Sequence, residues 1–396
     1  MSPLKLLIGV LLAIPVLVSA QIAPARTWTE LREAVQDRVN RNAYPLTGYN
    51  KDEVRDVLSR ISSLDRDEWA RSWIIQGDIH AAQARADQQK DPAKARAAYL
   101  NAFRYYSFGA WPTQNAEGKR QALRLANEAF RAYARTSAAH PVEVIRIPFE
   151  GKEIIGYLQL PATPRPAPVV ITTGGLDVYK EGVVEILGES YLAAGLGYLA
   201  LDMPGTNESP VMADVGSERV FSRAIDYLLT RKDIDPKRIA MLGASWGGHW
   251  SARIGILEKD RIRAAVNWGG PVDGYFQRDW QLKALGTREY LFDLFEARAA
   301  VYGAKDLESF LQYGPRMSLK TANLLDRPSA PMLLLNGEKD TQVPIEDLYV
   351  MLRSGSVKEA WVNPQGAHIG RGPGWPDLKI FREVVAPWLV RALKPQ

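Results

Sequence analysis

Ile239-Ala240-Met241-Leu242-Gly243-Ala244-Ser245-Trp246-Gly247-Gly248 is the most informative stretch of this 396-residue chain. Four consecutive apolar residues suit a strand buried on both faces, as parallel sheets require. The Gly-x-Ser-x-Gly pattern follows at once, and Trp246 to Leu257 can continue as a helix. A chain that turns from strand into helix within one residue brings backbone segments closer than a Cβ atom permits, and the glycines remove those atoms. Ser245 is thereby expected in a strained conformation, with its hydroxyl beside a helix N-terminus that favours developing negative charge. A glycine-rich turn around an inert serine is the bland alternative, and the flanking strand and helix argue against it.

The same grammar extends outward. Val169-Val170-Ile171-Thr172-Thr173 is a short buried strand ending in Gly174-Gly175, and Leu196 to Asp202 is another, preceded by a helix that ends near Gly195. Arg238 to Gly243, Ala264 to Trp268 and Met332 to Asn336 continue the parallel set, with Glu359 to Val362 as an edge. Val142 to Pro148 and Ile154 to Leu160, separated by Gly151, read as a hairpin. Apolar strands alternating with helices imply an α/β fold, here a mostly parallel eight-stranded sheet covered on both faces. Residues 274–325 interrupt the rhythm with helical, aromatic-rich sequence, as a lid-like insertion would. Upstream, residues 27–140 read as helical. Asp65 with Glu68 fits a capping box, Trp69, Trp73, Ile74 and Gly77 follow at helical spacing, and Asp91-Pro92 marks another helix start. Leu123, Ala126, Phe130 and Tyr133 mark one helix face, and no second copy recurs at a fixed period. The chain therefore divides into residues 1–20, an N-terminal helical domain at 21–140 and a catalytic domain at 141–396.

Residues 1–20 belong to a different class. Lys5 precedes the apolar run Leu6 to Val18, which closes on Val18-Ser19-Ala20, the pattern of a secretory signal. The run falls short of the about 20 apolar residues of a membrane span. Cleavage is therefore expected, with an uncleaved anchor as the alternative, and the mature protein is expected to be secreted or periplasmic, with no stable membrane span. With Lys plus Arg at 50 against Asp plus Glu at 45, the net charge is only +5, and no basic block calls for nucleic acid. The chain has no cysteine, which excludes disulfides, thiolate metal sites and a cysteine nucleophile. Its four histidines form no HExxH pattern, so no metal is expected. Gly195-Leu196-Gly197-Tyr198-Leu199-Ala200 has the letters of a dinucleotide fingerprint in reversed context, leaving a helix and entering a strand, so no nucleotide cofactor is expected.

A strand–Gly-x-Ser-x-Gly–helix elbow on a parallel sheet is the arrangement of the α/β-hydrolase fold, where the partners follow in the order Ser, Asp or Glu, His. A serine hydroxyl needs an adjacent base. Well downstream of Ser245 there is only His368, in Gln365-Gly366-Ala367-His368, between the last strand and the final helix. His249 lies one turn into the helix behind Ser245, and a structural or pocket-wall role is expected for it. Asp340, reached through Gly337-Glu338-Lys339 after a strand, is the expected orienting acid, with Glu338 and Asp273 as rivals. The oxyanion hole is expected from the Trp246 N–H together with that of Gly175 or Leu176. Asp202-Met203-Pro204-Gly205-Thr206 reads as a structural turn.

Taken together, Gly174-Gly175-Leu176-Asp177, Asp202-Met203-Pro204-Gly205-Thr206-Asn207-Glu208-Ser209, the elbow, and Asn336-Gly337-Glu338-Lys339-Asp340 resemble one α/β-hydrolase branch. That branch holds the dihydroxypseudooxynicotine hydrolases, the fungal heptaketide hydrolases and esterases of the fermentation–respiration-switch type. The resemblance spans about residues 65 to 390. It implies a Ser245–Asp340–His368 triad and an N-terminal helical cap domain over the site, although Asn207 stands where the turn more usually reads Gly. Members cleave either esters or a carbon–carbon bond beside a ketone. The expected function is acyl transfer from a small-molecule carbonyl substrate, most simply a carboxylic ester, with no cofactor and with no bar to a homodimer. Carbon–carbon hydrolysis of a diketone-like substrate is the alternative, and a non-catalytic binding protein on the same fold is the rival from another class. Tyr105, Tyr106, Phe108, Trp111, Tyr275, Phe276 and Trp280 are candidate pocket walls.

Overall fold

A computed structural model describes residues 24–136, 141–162 and 164–395. The secretory signal expected at residues 1–20, and His140, lie outside the described residues. Five helices come first: α1 (Trp28–Asn40), α2 (Lys51–Ser59), α3 (Arg66–Asp87), α4 (Pro92–Ala110) and α5 (Glu117–Arg135). At the start of α4, Asp91 accepts from the Lys94 N–H with Pro92 in the first turn, a cap typically worth about 1 kcal/mol. Only half of the expected capping box at α3 forms. Asp65 accepts from the Glu68 N–H at 2.7 Å, but the Glu68 carboxylate turns to Ser62 and Ser63 and leaves the Asp65 N–H to the Ser63 hydroxyl. A full reciprocal box does form at α1, between Thr27 and Glu30.

Eight strands follow: β1 (Glu143–Phe149), β2 (Lys152–Gln159), β3 (Ala167–Thr173), β4 (Gly197–Leu201), β5 (Ile234–Ala244), β6 (Ala264–Trp268), β7 (Met332–Gly337) and β8 (Glu359–Asn363). They form one sheet in the order β1-β2-β4-β3-β5-β6-β7-β8. β1 and β2 make the antiparallel hairpin, β2 meets β4 antiparallel, and the remaining pairs are parallel. β5 begins four residues before the expected strand start at Arg238, because Ile234 pairs with Ala167 across a bulge before Ile239 pairs with Val169. Gly197 lies inside β4, so the glycine pair near residue 195 ends a helix and enters a strand as expected.

Alternation along each strand sends side chains to two separate cores. Val169, Ile171, Ile239 and Met241 face one side, where α7 (Arg219–Leu229) and α8 (Trp246–Leu257) pack. Val170, Ala240, Leu242 and Val266 face the other, against α6 (Lys180–Ala193) and the C-terminal helical run Asp377–Ala392. Phe130 of α5 packs on Tyr157 of β2 with ring centroids 4.9 Å apart, which fastens the helical region to the second core. The segment between β6 and β7 carries α9 (Arg278–Leu285), α10 (Leu294–Ala300) and α11 (Leu307–Met317), and α12 (Ile345–Arg353) follows β7. Within that segment Asp293 receives Arg66 of α3 at 2.7 Å and the fully buried Lys119 of α5 at 3.3 Å. Among the described residues no helix is long and apolar enough to cross a membrane.

Candidate active site

Ser245 stands between β5 and α8 with φ 54° and ψ −129°. That region of backbone space costs a non-glycine residue on the order of 1–3 kcal/mol. Its N–H donates to Trp268 O, and Gly248 N–H donates to Ser245 O, each at 2.8 Å, which helps hold the strained turn. The flanking glycines are sterically required: a Cβ on Gly243 would lie 1.8 Å from Gly247 O, and one on Gly247 would lie 2.3 Å from Gly174 O.

His368 begins a short turn after β8 and reaches back across the sheet end. Its Nε2 is 2.8 Å from Ser245 Oγ and its Nδ1 is 2.8 Å from Asp340 Oδ2. A carboxylate oxygen facing a ring nitrogen accepts, so Nδ1 carries the proton, Nε2 is bare, and the Ser245 hydroxyl donates to it. The loop is held from both sides by Trp268 Nε1–H donating to Ile369 O at 2.7 Å and by Asn363 Nδ2–H donating to Gly370 O at 2.8 Å. Asp340 is fixed still more tightly. Oδ2 also accepts from Asn336 Nδ2 at 2.9 Å, while Oδ1 accepts from the Gln342 and Val343 N–H groups at 2.7 and 3.1 Å. Burial pushes the His368 imidazole towards its neutral form, but the charge and hydrogen bond of Asp340, with Glu289 adding, outweigh burial and raise its pKa.

Beside the hydroxyl lie unused donors. Among the described residues the N–H groups of Gly175, Leu176 and Trp246 have no hydrogen-bond acceptor. A Cβ on Gly175 would sit 2.8 Å from Ser245 Cβ, 3.0 Å from Oγ and 3.4 Å from Trp246 N, so the two peptide segments flank the same spot. A hydroxyl with a base on one side and free amides on the other can attack a carbonyl and stabilise the resulting oxyanion.

The rivals from the sequence sit elsewhere. Asp273 accepts from Ser318 Oγ at 2.6 Å and from Gln277, and Glu338 accepts from Tyr349 at 2.9 Å. His249 is fully buried among Trp246, Trp250 and Phe276, with Nδ1 3.1 Å from Pro271 O, and burial pushes its pKa well down. It is a core residue and not a pocket wall. The Asp202 turn anchors a buried polar network: Lys180 Nζ meets Asp202 at 2.7 Å and Glu208 at 2.8 Å. Asn207, at φ 39°, accepts from Asn127 of α5 and donates to Glu181. Asparagine tolerates that left-handed backbone, and its amide supplies bonds that glycine would lack.

A cavity of about 310 Å³ opens above Ser245 and His368, and a second of about 660 Å³ adjoins it. Both share Tyr44, Trp111, Asp177 and Arg371 as walls. Of the aromatic residues expected to line the site, Trp111 lines both cavities and Phe108 only the larger. Tyr105 and Tyr106 belong to the helical core, Tyr275 and Phe276 pack around Trp246, and Trp280 donates to Gln342 O. Packing, rather than a ligand, accounts for their helical spacing. The walls that sequence reasoning missed are Arg38, Tyr44, Glu289, Tyr290 and Arg371. They come from connecting segments and one polar helix face, where no periodic pattern announces them.

The family model for FrsA-like esterases matches residues 32–364. Esterase FrsA of Photobacterium profundum is 26% identical over 291 residues, covering 72% of this chain and 68% of that protein. The esterase FrsA of Vibrio cholerae serotype O1 is 28% identical over 285 residues, 70% of this chain and 66% of its own length. Thus this chain spans about two thirds of these relatives. Among solved structures, 2,6-dihydroxy-pseudo-oxynicotine hydrolase aligns with a TM-score of 0.73 at 20% identity, covering 92% of this chain and 95% of that one. AbyA5 aligns at 0.70 and 20%, covering 91% and 94%. At such identities these structures speak to the fold, which agrees with the sheet order and the elbow described above. With the family match spanning most of the chain, the protein belongs to the FrsA-like esterase family, on an α/β-hydrolase fold.

Proposed function

We propose that the protein is an exported serine hydrolase that cleaves a carboxylic ester of a small molecule through an acyl-enzyme, with Ser245 as nucleophile. The observation that carries this reading is the unbroken chain Ser245 Oγ–His368–Asp340, with 2.8 Å at each link, beside the free Gly175 and Trp246 amides. In the first step Ser245 Oγ bonds to the carbonyl carbon while His368 Nε2 takes its proton. Negative charge gathers on the carbonyl oxygen, which lies against the amides of Gly175 or Leu176 and Trp246; one such donor is typically worth about 3 kcal/mol. Asp340 keeps the imidazole in the tautomer that can accept, and steadies the imidazolium. His368 then gives its proton to the departing alkoxide, and a water molecule repeats the sequence to release the acid. The leader at residues 1–20 is the basis for placing this chemistry outside the cytoplasm, in the periplasm or the medium.

Fluorophosphonate labelling of the mature protein, read by peptide mass, tests the nucleophile. One adduct on Ser245, lost in Ser245→Ala and His368→Ala, is expected. A folded protein that takes no adduct and turns over no carbonyl substrate refutes the reading. Turnover of aryl esters measured beside that of a β-diketone then separates ester from carbon–carbon cleavage.

A further inference from the structure

The two glycines at the end of β3 are followed by Leu176 and Asp177, and this short loop carries the amides placed beside Ser245. Neither Gly175 nor Leu176 is anchored by a hydrogen bond from its own N–H, as an oxyanion hole requires. Something else must hold the loop still, because a donor that drifts by a fraction of an ångström loses most of its worth to the transition state. Glycine on its own makes such a loop more mobile.

Asp177 is the first side chain of the loop that can grip anything by hydrogen bonding. Its Oδ2 accepts from the Tyr44 hydroxyl and, at 3.0 Å, from Trp111 Nε1. Both donors belong to the helical region, Tyr44 in the link between α1 and α2 and Trp111 directly after α4. Each is itself immobilised. The Arg371 guanidinium lies 4.4 Å from the Tyr44 ring centre while its Nε donates to Asp377 at 2.6 Å. Trp111 stacks on Tyr290 at 5.3 Å and meets Phe292 edge-on at 5.3 Å. Burial and the neighbouring Asp177 charge keep the Tyr44 and Tyr290 hydroxyls protonated, so they remain donors. No lysine or arginine forms an ion pair with Asp177 among the described residues. A carboxylate held by neutral aromatic donors is a directional tether, with its geometry set by two rigid rings.

We propose that Asp177 is a positioning residue: by binding Tyr44 and Trp111 it locks the Gly175–Leu176 amides against Ser245, so the oxyanion hole is complete only when the helical region is docked. This rests on the serine-hydrolase reading above. It assigns the helical region a part in the chemistry itself, beyond that of a wall.

Kinetics of aryl-ester hydrolysis on the full mature protein test it, with thermal unfolding confirming that each variant is folded. Asp177→Ala is expected to lower kcat by about 10–100-fold with KM changed less than about threefold, because the loss falls on the transition state. Asp177→Asn is expected to recover most of that loss, since both bonds go to one oxygen and an amide oxygen can accept both. Tyr44→Phe alone should cost less than Asp177→Ala, and the double variant Asp177→Ala/Tyr44→Phe should be no slower than Asp177→Ala, as two parts of one tether are not additive. Parental kcat in Asp177→Ala, a loss confined to KM, or losses that multiply in the double variant would overturn the proposal while the serine reading stands. A parent protein that neither turns over ester nor takes the phosphonate label sinks both.

Discussion

Gly175→Ala isolates the geometry on which the chemistry depends. The backbone of Gly175 lies outside the left-handed region, so alanine brings no conformational strain, and the added methyl is the whole perturbation. That methyl would stand 2.8 Å from Ser245 Cβ and 3.0 Å from its Oγ, where ordinary contact begins at 3.4 Å. The loop and the elbow must therefore part by roughly 0.6 Å, and misplacements approaching 1 Å cost about 10²-fold in rate. At 1.36 kcal/mol per factor of ten, that is about 2.7 kcal/mol of transition-state stabilisation. Overpacking of this kind costs about 1–3 kcal/mol of folding free energy, within the stability of an ordinary domain, so the variant should remain folded. Steady-state hydrolysis of an aryl ester, with thermal unfolding of the same samples, reads both quantities. The expectation is kcat lowered about a hundredfold and a phosphonate labelling rate lowered in parallel. A folded variant with kcat within about threefold of the parent would place the reacting carbonyl elsewhere and refute the geometry argued here.

Other expectations follow from the same contacts. Protonated His368 cannot accept the Ser245 proton, so kcat/KM should fall as pH drops through the His368 pKa; Asp340→Asn, which removes the charge that raises that pKa, should move the inflection to lower pH and cost on the order of 10⁴ in rate, both read from a pH–rate profile. Asp293→Ala strands the buried Lys119, already pushed down to about 8 by burial, together with Arg66. Breaking such a pair from one side costs about 3–5 kcal/mol, measurable by urea unfolding. His249→Gln should keep the Ser245 adduct that His368→Ala loses, because His249 makes its polar contact with Pro271 O and none with the serine; loss of labelling in a folded His249→Gln protein would contradict its assignment to the core.

The sheet and the elbow could be read from the chain because their causes are local. A run such as Val169 to Thr173 can bury both faces in only a few ways, and Gly243 and Gly247 are demanded by backbone atoms a few residues away or on the adjoining strand. Ser245 and His368 stood out for a similar reason: the elbow names the serine, and only one histidine follows it at a distance. Asp340 was one of three acids that the chain left open, and its selection is tertiary. It alone projects from the end of β7 onto His368, while Asp273 turns to Ser318 and Glu338 to Tyr349. The pocket was the part least visible. Trp69, Trp73 and Tyr105 have the same residue types and helical spacing as a binding wall, yet they fill the helical core. Tyr44, Trp111, Tyr290 and Arg371, widely separated along the chain, meet at one cavity. Hydrophobic periodicity and steric need at a turn act over a few residues and so leave their mark in the order of amino acids. Which loops meet above the serine depends on how the helices dock against the sheet, a sum of long-range contacts with no local signature.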